Sequence, residues 1–551
     1  MNGITQPDLD DAVDIVIMGG GLAGLTLALQ LRQRFANRSI RVLERQVHPV
    51  AVAAHKVGES TVEIAAHYFS QVLGLRDHLR ECQLRKFGLR FFFSEGRRDI
   101  AQVGEVGASR HLSTPSYQLD RGSFENHLVE VARERGIDTI DGARVTGFEL
   151  GEGDAPHRVS WDAGHGVRQT SARWLLDASG RAGLIKRRLG LAEENAHHAH
   201  AVWFRVRGFI RIDDWSDDSA WRARCTPAAR WLSTNHLLGA GYWVWLIPLA
   251  SGHHSVGIVA DPRFHRLDAM DSFDKAMDWL REFQPLLHDE LDRRRDDLLD
   301  FKFFRRFSYG CRQVFSANRW ALTGEAGAFL DPFYSPGSDF IAISNTMITE
   351  LVARDLAGER IGAHAHVYDQ LYRSFYESTL ALYQDQYGIM GDPRVLPRKI
   401  VWDYTYYWAI LSQFFFQERL TDLSMLSRLR DELAHCRELN VAVQGLLRQW
   451  SQAGAHQNQP VMHDHAAMPW FCELNRSLGD VLPADEFFER IRASCRQLTR
   501  LAGELMDSAL IEHPDLDTTA LRHTITLLQA RDPAPHSGAQ KADCHEPMLI
   551  A

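Results

Sequence analysis

Residues 14–24 read Asp14-Ile-Val-Ile-Met18-Gly19-Gly20-Gly21-Leu22-Ala23-Gly24, and the fold turns on this stretch. Ile15–Met18 is a short apolar run of the kind found in strands buried on both faces. It runs into Gly19-x-Gly21-x-x-Gly24 and then LTLALQLRQRF, whose apolar residues have helical spacing. Gly19 permits a tight turn, Gly21 lets the backbone approach a pyrophosphate, and Gly24 lets the helix pack closely on the strand. The helix start offers free N–H groups and a positive dipole end to phosphate. A second strand, Ile40–Leu43, ends at Glu44, twenty residues past Gly24, where a carboxylate can accept from a ribose hydroxyl. Strand, glycine turn, helix, strand and acid agree on a dinucleotide-binding unit.

Further apolar strands follow. Arg173-Trp-Leu-Leu-Asp177-Ala-Ser-Gly180 is one, and Arg319-Trp-Ala-Leu-Thr-Gly324-Glu325-Ala-Gly is another. The latter leads through Asp331-Pro332-Phe-Tyr-Ser-Pro-Gly337-Ser338 into a helix. Glu325 suits ribityl hydroxyls, and amides near Gly337 suit a polarised flavin ring edge at a helix start. Gln118-Leu-Asp-Arg121 opens a helix with a basic residue near its beginning. Short β-type runs such as FGLRFFF, YWVWLIPLA and HHSVGIVA alternate with helical stretches. The expected class is α/β: an interrupted nucleotide-binding core over 12–350, with a β-sheet inserted from about 90–120 and 195–315. A helical region, 351–530, is expected to cap the substrate pocket, and 531–551 reads as a mobile tail.

The 551 residues carry 62 Lys+Arg against 71 Asp+Glu, a net charge of -9 that argues against a nucleic-acid partner. No run reaches the length of a membrane span, and the acidic start lacks the features of a secretory signal. Seven scattered cysteines with no CxxC spacing suggest reduced thiols in a cytoplasmic protein. Arg293-Arg294-Arg295, flanked by Asp292, Asp296 and Asp297, reads as a mixed-charge helix face. His197, His198, His200, His463 and His465 read as solvated or strand histidines, and no metal site is expected.

As an ordered set, these motifs resemble the FAD-binding core of the flavoprotein monooxygenase (glutathione-reductase-like) superfamily over about residues 12–350. That superfamily usually has Gly-Asp-Ala where this chain has Gly324-Glu325-Ala326. The resemblance implies FAD held by Gly19, Gly21, Gly24, Glu44, Lys56, Val57, Arg121, Asp177, Gly180, Gly324, Glu325, Pro332, Gly337 and Ser338. Trp243-Val-Trp245-Leu-Ile247-Pro248 is similar to the WxWxIP signature of the flavin-dependent halogenases. Two indoles on alternate strand positions and a proline make a rigid wall. In that family the wall keeps the organic substrate from the flavin. Lys56-Val-Gly58-Glu59-Ser60-Thr61 resembles the strap between flavin and substrate pockets, and Lys86 falls where the family carries its catalytic lysine. An amine there holds hypohalous acid or forms a haloamine, and burial favours its neutral form. Lys56, Arg85 and Arg90 are its nearest competitors.

One position departs from the tryptophan-specific branch: Tyr334 stands where that branch has a Glu before Ser. This favours phenols, whose own hydroxyl activates the ring. Pro336 lacks an N–H, so a halide would rest on Gly337 and Ser338 amides. Trp402–Phe416 has eight aromatics in fifteen residues, fitting a wall of an aromatic pocket, a helix packed on the sheet, or the surface of a homodimer. The resemblance implies an FAD-dependent halogenase that takes FADH2 from a separate flavin reductase, with O2, chloride or bromide, and a small electron-rich aromatic. The alternatives are an NAD(P)H-dependent aromatic hydroxylase and a flavin-binding partner without turnover.

Overall fold

The computed structural model describes residues 11–52, 56–454 and 457–531, together with Met548. The start of the chain lies outside the described residues, as does the expected tail apart from Arg531, which ends helix Thr519–Arg531, and Met548.

A seven-stranded sheet is built around the opening stretch. Strand Asp11–Met18 pairs in parallel with Ile40–Leu43 on one side and Val167–Asp177 on the other. Asp138–Ile140 extends it beyond Ile40–Leu43, and Trp320–Leu322 runs parallel to the end of Val167–Asp177. His157–Asp162 and Arg144–Glu149 add an antiparallel flank. Ile15–Met18 are fully buried, as a continuous apolar strand in a covered parallel sheet must be. Helix Leu22–Arg34 follows the glycine turn and packs on helix Gly337–Leu356. A polar stitch closes this contact: Asn345 donates to Thr26 Oγ1 at 3.1 Å and accepts from Thr323 Oγ1 at 2.6 Å.

The second sheet has eight strands. Their order is Leu298–Phe304, His200–Arg207, His253–Ala260, Tyr242–Leu249, Thr234–Gly239, Leu89–Phe92, Glu105–Gly107 and Met462–Asp464. The last strand falls inside the region expected to be helical, 351–530, and corrects that expectation locally. Three residues carry no readable periodicity, and what fixes them is distant: Asp464 accepts from the Ser109 N–H and hydroxyl at 2.8 and 2.6 Å. Pro248 lies past the end of the pairing with Thr234–Gly239, which stops at Leu246, and keeps a strand neighbour on one side only, His254.

Helices Gly362–Leu380, Val395–Tyr406, Arg430–Ala453 and Ala484–Glu512 form most of the remainder. The aromatic run continues Val395–Tyr406 through a π-helical turn, Tyr407–Ser412, into Gln413–Phe416. Among the described residues no helix is long and apolar enough to cross a membrane. Arg293, Arg294 and Arg295 pair with Glu290 and Asp292, as a mixed-charge face should.

Candidate active site

Two cavities adjoin at Pro336, which lines both. The larger, about 330 Å³, is lined by Gly21, the Lys56–Ser60 strap, Arg121, Gly180, Gly324, Glu325, Pro332, Gly337 and Ser338, among others. Its geometry fits a flavin dinucleotide. A Cβ on Gly24 would sit 1.9 Å from the Gly19 carbonyl oxygen, whereas one on Gly21 would meet nothing within 4 Å. The turn is therefore closed against itself and open toward the cavity, where a pyrophosphate can reach the backbone. Gly337 and Ser338 begin a 20-residue helix that has no side-chain cap, so its first N–H groups are available to an anion or a polarised ring edge.

Some expected residues act around this cavity without lining it. Gly19 shapes the turn, with a φ of 113°. Glu44 accepts the Gly20 N–H at 2.6 Å and the Gln46 N–H at 2.8 Å, which leaves further lone pairs at the end of its strand. Asp177 is fully buried and takes the Ser179 and Ile185 N–H groups at 3.0 and 2.7 Å. It braces the turn, while Gly180 lines the cavity. Pro248 is also off the cavity, where Ile247 lines it instead. Arg121 donates to the Val57 carbonyl at 2.6 Å, and Arg121 and Lys56 both pair with buried Glu125. Burial pushes the Glu125 pKa up, but the two cations outweigh it and hold the carboxyl ionised. Glu125 escaped the sequence reading, although it stands four residues after Arg121 on the same helix face.

Trp243 and Trp245 line the cofactor cavity, their rings 5.7 Å apart. Trp245 lies over Gly257, where a Cβ would fall 2.2 Å from the ring. Phe333 lies behind Trp243, with ring centroids 5.2 Å apart, and the Tyr334 ring follows at 4.3 Å. Tyr334 lines the second cavity, so Trp243, Phe333 and Tyr334 form a septum between the two spaces. Tyr334 and Ser335 hold left-handed φ values of 67° and 60°, a conformation costing roughly 1–3 kcal/mol per non-glycine residue. The turn thus puts the Tyr334 ring on one side and Ser335 on the other, against the cofactor cavity.

Lys86 is buried between strands Leu84–Arg85 and Leu89–Phe92. Its Nζ donates to Ser60 Oγ and to the Thr61 carbonyl, both at 2.8 Å. Ser60 lines the cofactor cavity, and the small space around Lys86 shares Leu89 and Tyr404 with the second cavity. Burial lowers the Lys86 pKa to about 7, against the pull of Glu63 and Asp339. The competing cations are committed or exposed: Arg90 is buried on Glu105, Lys56 is on Glu125, and Arg85 faces solvent.

The second cavity, about 290 Å³, lies among the helices. Tyr404, Tyr406 and Tyr407 of the aromatic run line it with Tyr383, Phe375, Ile410 and Leu411. Trp402 and Trp408 turn away, onto Asn440 and Phe471. Asp403, at its edge, takes Lys399 and Tyr334 on one oxygen, both at 2.8 Å, and Gln444 on the other at 2.7 Å. Glu63, Asp339 and Asp403 lie beside or within the strap, the Gly337-Ser338 helix start and the aromatic run, yet their side chains carry no local pattern that singles them out. His197 is neither solvated nor free: it lies 2.6 Å from buried Asp331. His465 is buried as well. Among the described residues no cluster of ligating side chains fits a metal ion.

Known proteins place this geometry. The family profile described as tryptophan halogenase matches residues 14–113 and 100–389. The flavin-dependent halogenase chlA of Dictyostelium discoideum is 27% identical over 435 residues, covering 72% of this chain and 70% of its own. The tetracycline 7-halogenase of Kitasatospora aureofaciens is 28% identical, covering 64% and 66%. The crystal structure of halogenase PltM in complex with phloroglucinol and FAD superposes with a TM-score of 0.63 at 15% identity, over 89% of this chain and 96% of that one. The glycine turn, cofactor cavity and tryptophan wall therefore belong to an FAD-dependent, halide-using oxidoreductase, and the chain is a member of the tryptophan halogenase family of flavin-dependent halogenases.

Proposed function

We propose that this halogenase chlorinates or brominates an electron-rich, hydroxylated aromatic ring held in the cavity of about 290 Å³, with Lys86 directing the halogen. The observation that carries this is the place of Lys86: its amine bonds to Ser60 on the cofactor side and adjoins Leu89 and Tyr404 on the other. Reduced FAD bound in the larger cavity, with O2, supplies the two-electron oxidation of halide. By family precedent, a separate reductase supplies the FADH2. Gly337 and Ser338 amides at the helix start hold the halide. The septum keeps the ring from the flavin, so the electrophile moves and the substrate stays. Hypohalous acid carries its halogen past Ser60 to the Lys86 amine, which presents it to the ring. The helices from Gly362 onward close the substrate space.

A phenol is favoured over an indole because Tyr334, not a carboxylate, stands at the septum, and because the hydroxyls and carboxyls among the cavity's polar groups suit a ring hydroxyl, the two arginines lying at its exposed end. The test supplies reduced FAD, O2 and bromide or chloride with phenols, pyrroles and indoles, and reads halogen isotope patterns by mass spectrometry. Halogenated phenols are expected. Hydroxylated products alone, or halogenation confined to indoles, would overturn the proposal.

A further inference from the structure

The substrate cavity contains one carboxylate with capacity to spare. Among the described residues its charged lining is Asp339, Asp403, Arg430 and Arg437, and the two arginines lie at its exposed end. Asp403 already accepts three hydrogen bonds, one from the buried Lys399 ammonium, and is neutralised in place. Asp339 accepts only two, the Ala65 N–H at 2.8 Å and the Tyr407 hydroxyl at 2.7 Å, and a carboxylate offers about four lone-pair positions. It is buried, stands in the first turn of helix Gly337–Leu356, where the dipole favours negative charge, and lies in the field of Lys86.

We propose that Asp339 is a catalytic residue of this site, accepting the hydroxyl proton of the phenolic substrate as halogen is transferred. The inference rests on the substrate class proposed above. The O–H electron pair stays on oxygen and raises electron density at the ortho and para carbons. One of these attacks the halogen of a hypohalous acid: the C–halogen bond forms, and the O–halogen bond breaks. The departing hydroxide takes the ring proton as water, and Asp339 returns its proton to the product oxygen. One phenol and one hypohalous acid give one halophenol and one water.

The surroundings suit the role. Burial raises the Asp339 pKa to about 7, opposed by the Tyr407 and Ala65 hydrogen bonds, and a base works best when its pKa lies near the operating pH. The groups that face it are Glu63 on helix Glu63–His67, Tyr407 on the aromatic run, Lys86 between its strands, and Tyr383. Glu63 raises its pKa and Lys86 lowers it.

The test compares wild-type enzyme with Asp339→Asn and Asp339→Glu on phenols graded from un-ionised to fully ionised at the assay pH. Dividing variant by wild-type rate, substrate by substrate, cancels ring reactivity. Asp339→Asn should lose about 10²-fold on un-ionised phenols, the ordinary worth of a general base, and less than about tenfold on ionised ones. Asp339→Glu should recover part of the loss. An equal loss across the panel would mean a structural role and overturn the proposal. A wild-type enzyme that halogenates indoles or pyrroles but no phenol would overturn the substrate class itself, a different result from a flat ratio.

Discussion

The Trp243 indole N–H donates to the Tyr387 hydroxyl at 3.0 Å, tying the tryptophan wall to a helix turn 144 residues later in the chain. That hydroxyl donates in turn to Asp331 at 2.7 Å, which also lies 2.6 Å from His197 and takes the Phe333 N–H at 2.9 Å. One carboxylate thus fixes the wall on one side and the septum turn on the other. Tyr387→Phe leaves a buried indole N–H and one acceptor position of Asp331 without their partner, a loss of about 1–3 kcal/mol. A lower denaturant midpoint with unchanged slope is the expected result.

The septum depends on Phe333, which is wholly buried between Trp243 and Tyr334. Phe333→Leu removes the ring and leaves part of its space unfilled, a large-to-small change costing about 1–3 kcal/mol. With the partition thinned, oxygenated product should appear beside halogenated product in the mass spectrum. A product mixture identical to wild type would mean that Phe333 does not separate the two spaces.

Two glycines three positions apart should respond differently. Gly24→Ala pushes a Cβ to 1.9 Å from the Gly19 carbonyl oxygen and should prevent a folded core. Gly21 has φ near −82° and open space around its missing Cβ. Gly21→Ala should therefore leave apo stability within about 0.5 kcal/mol of wild type, as for other unobstructed sites. Its added methyl fills the approach to the pyrophosphate, so FAD affinity should fall at least about tenfold, or about 1.4 kcal/mol. Thermal melts without flavin and fluorescence titration with FAD separate the two effects.

This contrast also shows how far the sequence carries the account. The glycine turn is legible because its parts are adjacent and each answers a local steric demand. Lys86 is different: its type and neighbours fit a snorkelling surface lysine equally well, and only the resemblance marked it out. Asp339 and Glu63 closely follow stretches the sequence marks, Gly337-Ser338 and the Lys56–Thr61 strap, but only the fold turns their carboxyls toward the substrate side, and nothing near Tyr387 in the sequence signals a cavity. Asp177 lay at the right strand end, yet the backbone turns there and its carboxylate is spent on two N–H groups. Strand Met462–Asp464 is fixed by pairing with Glu105–Gly107, some 355 residues earlier at the Ser109–Asp464 contact, so no local pattern shows it.

Acidity offers another test. Burial lowers the Lys86 pKa to about 7, so its neutral amine is scarce below that pH and dominant above it. Halogenated product per FADH2 oxidised should rise as pH passes upward through 7. Lys86→Arg keeps a cation that does not deprotonate, and its product yield should stay low at every pH.

The central claim is that Lys86 acts on the halogen and not on the flavin. Lys86→Met removes the amine at similar volume, while the cofactor cavity keeps its lining. The direct measurement follows flavin reoxidation by O2 and halogenated product in the same reaction, with FADH2, bromide and a phenol. Reoxidation near the wild-type rate with product down at least about 10²-fold is the predicted outcome, since that is the scale on which a positioned acid or base contributes. Product formed at the wild-type ratio to flavin oxidised would contradict it.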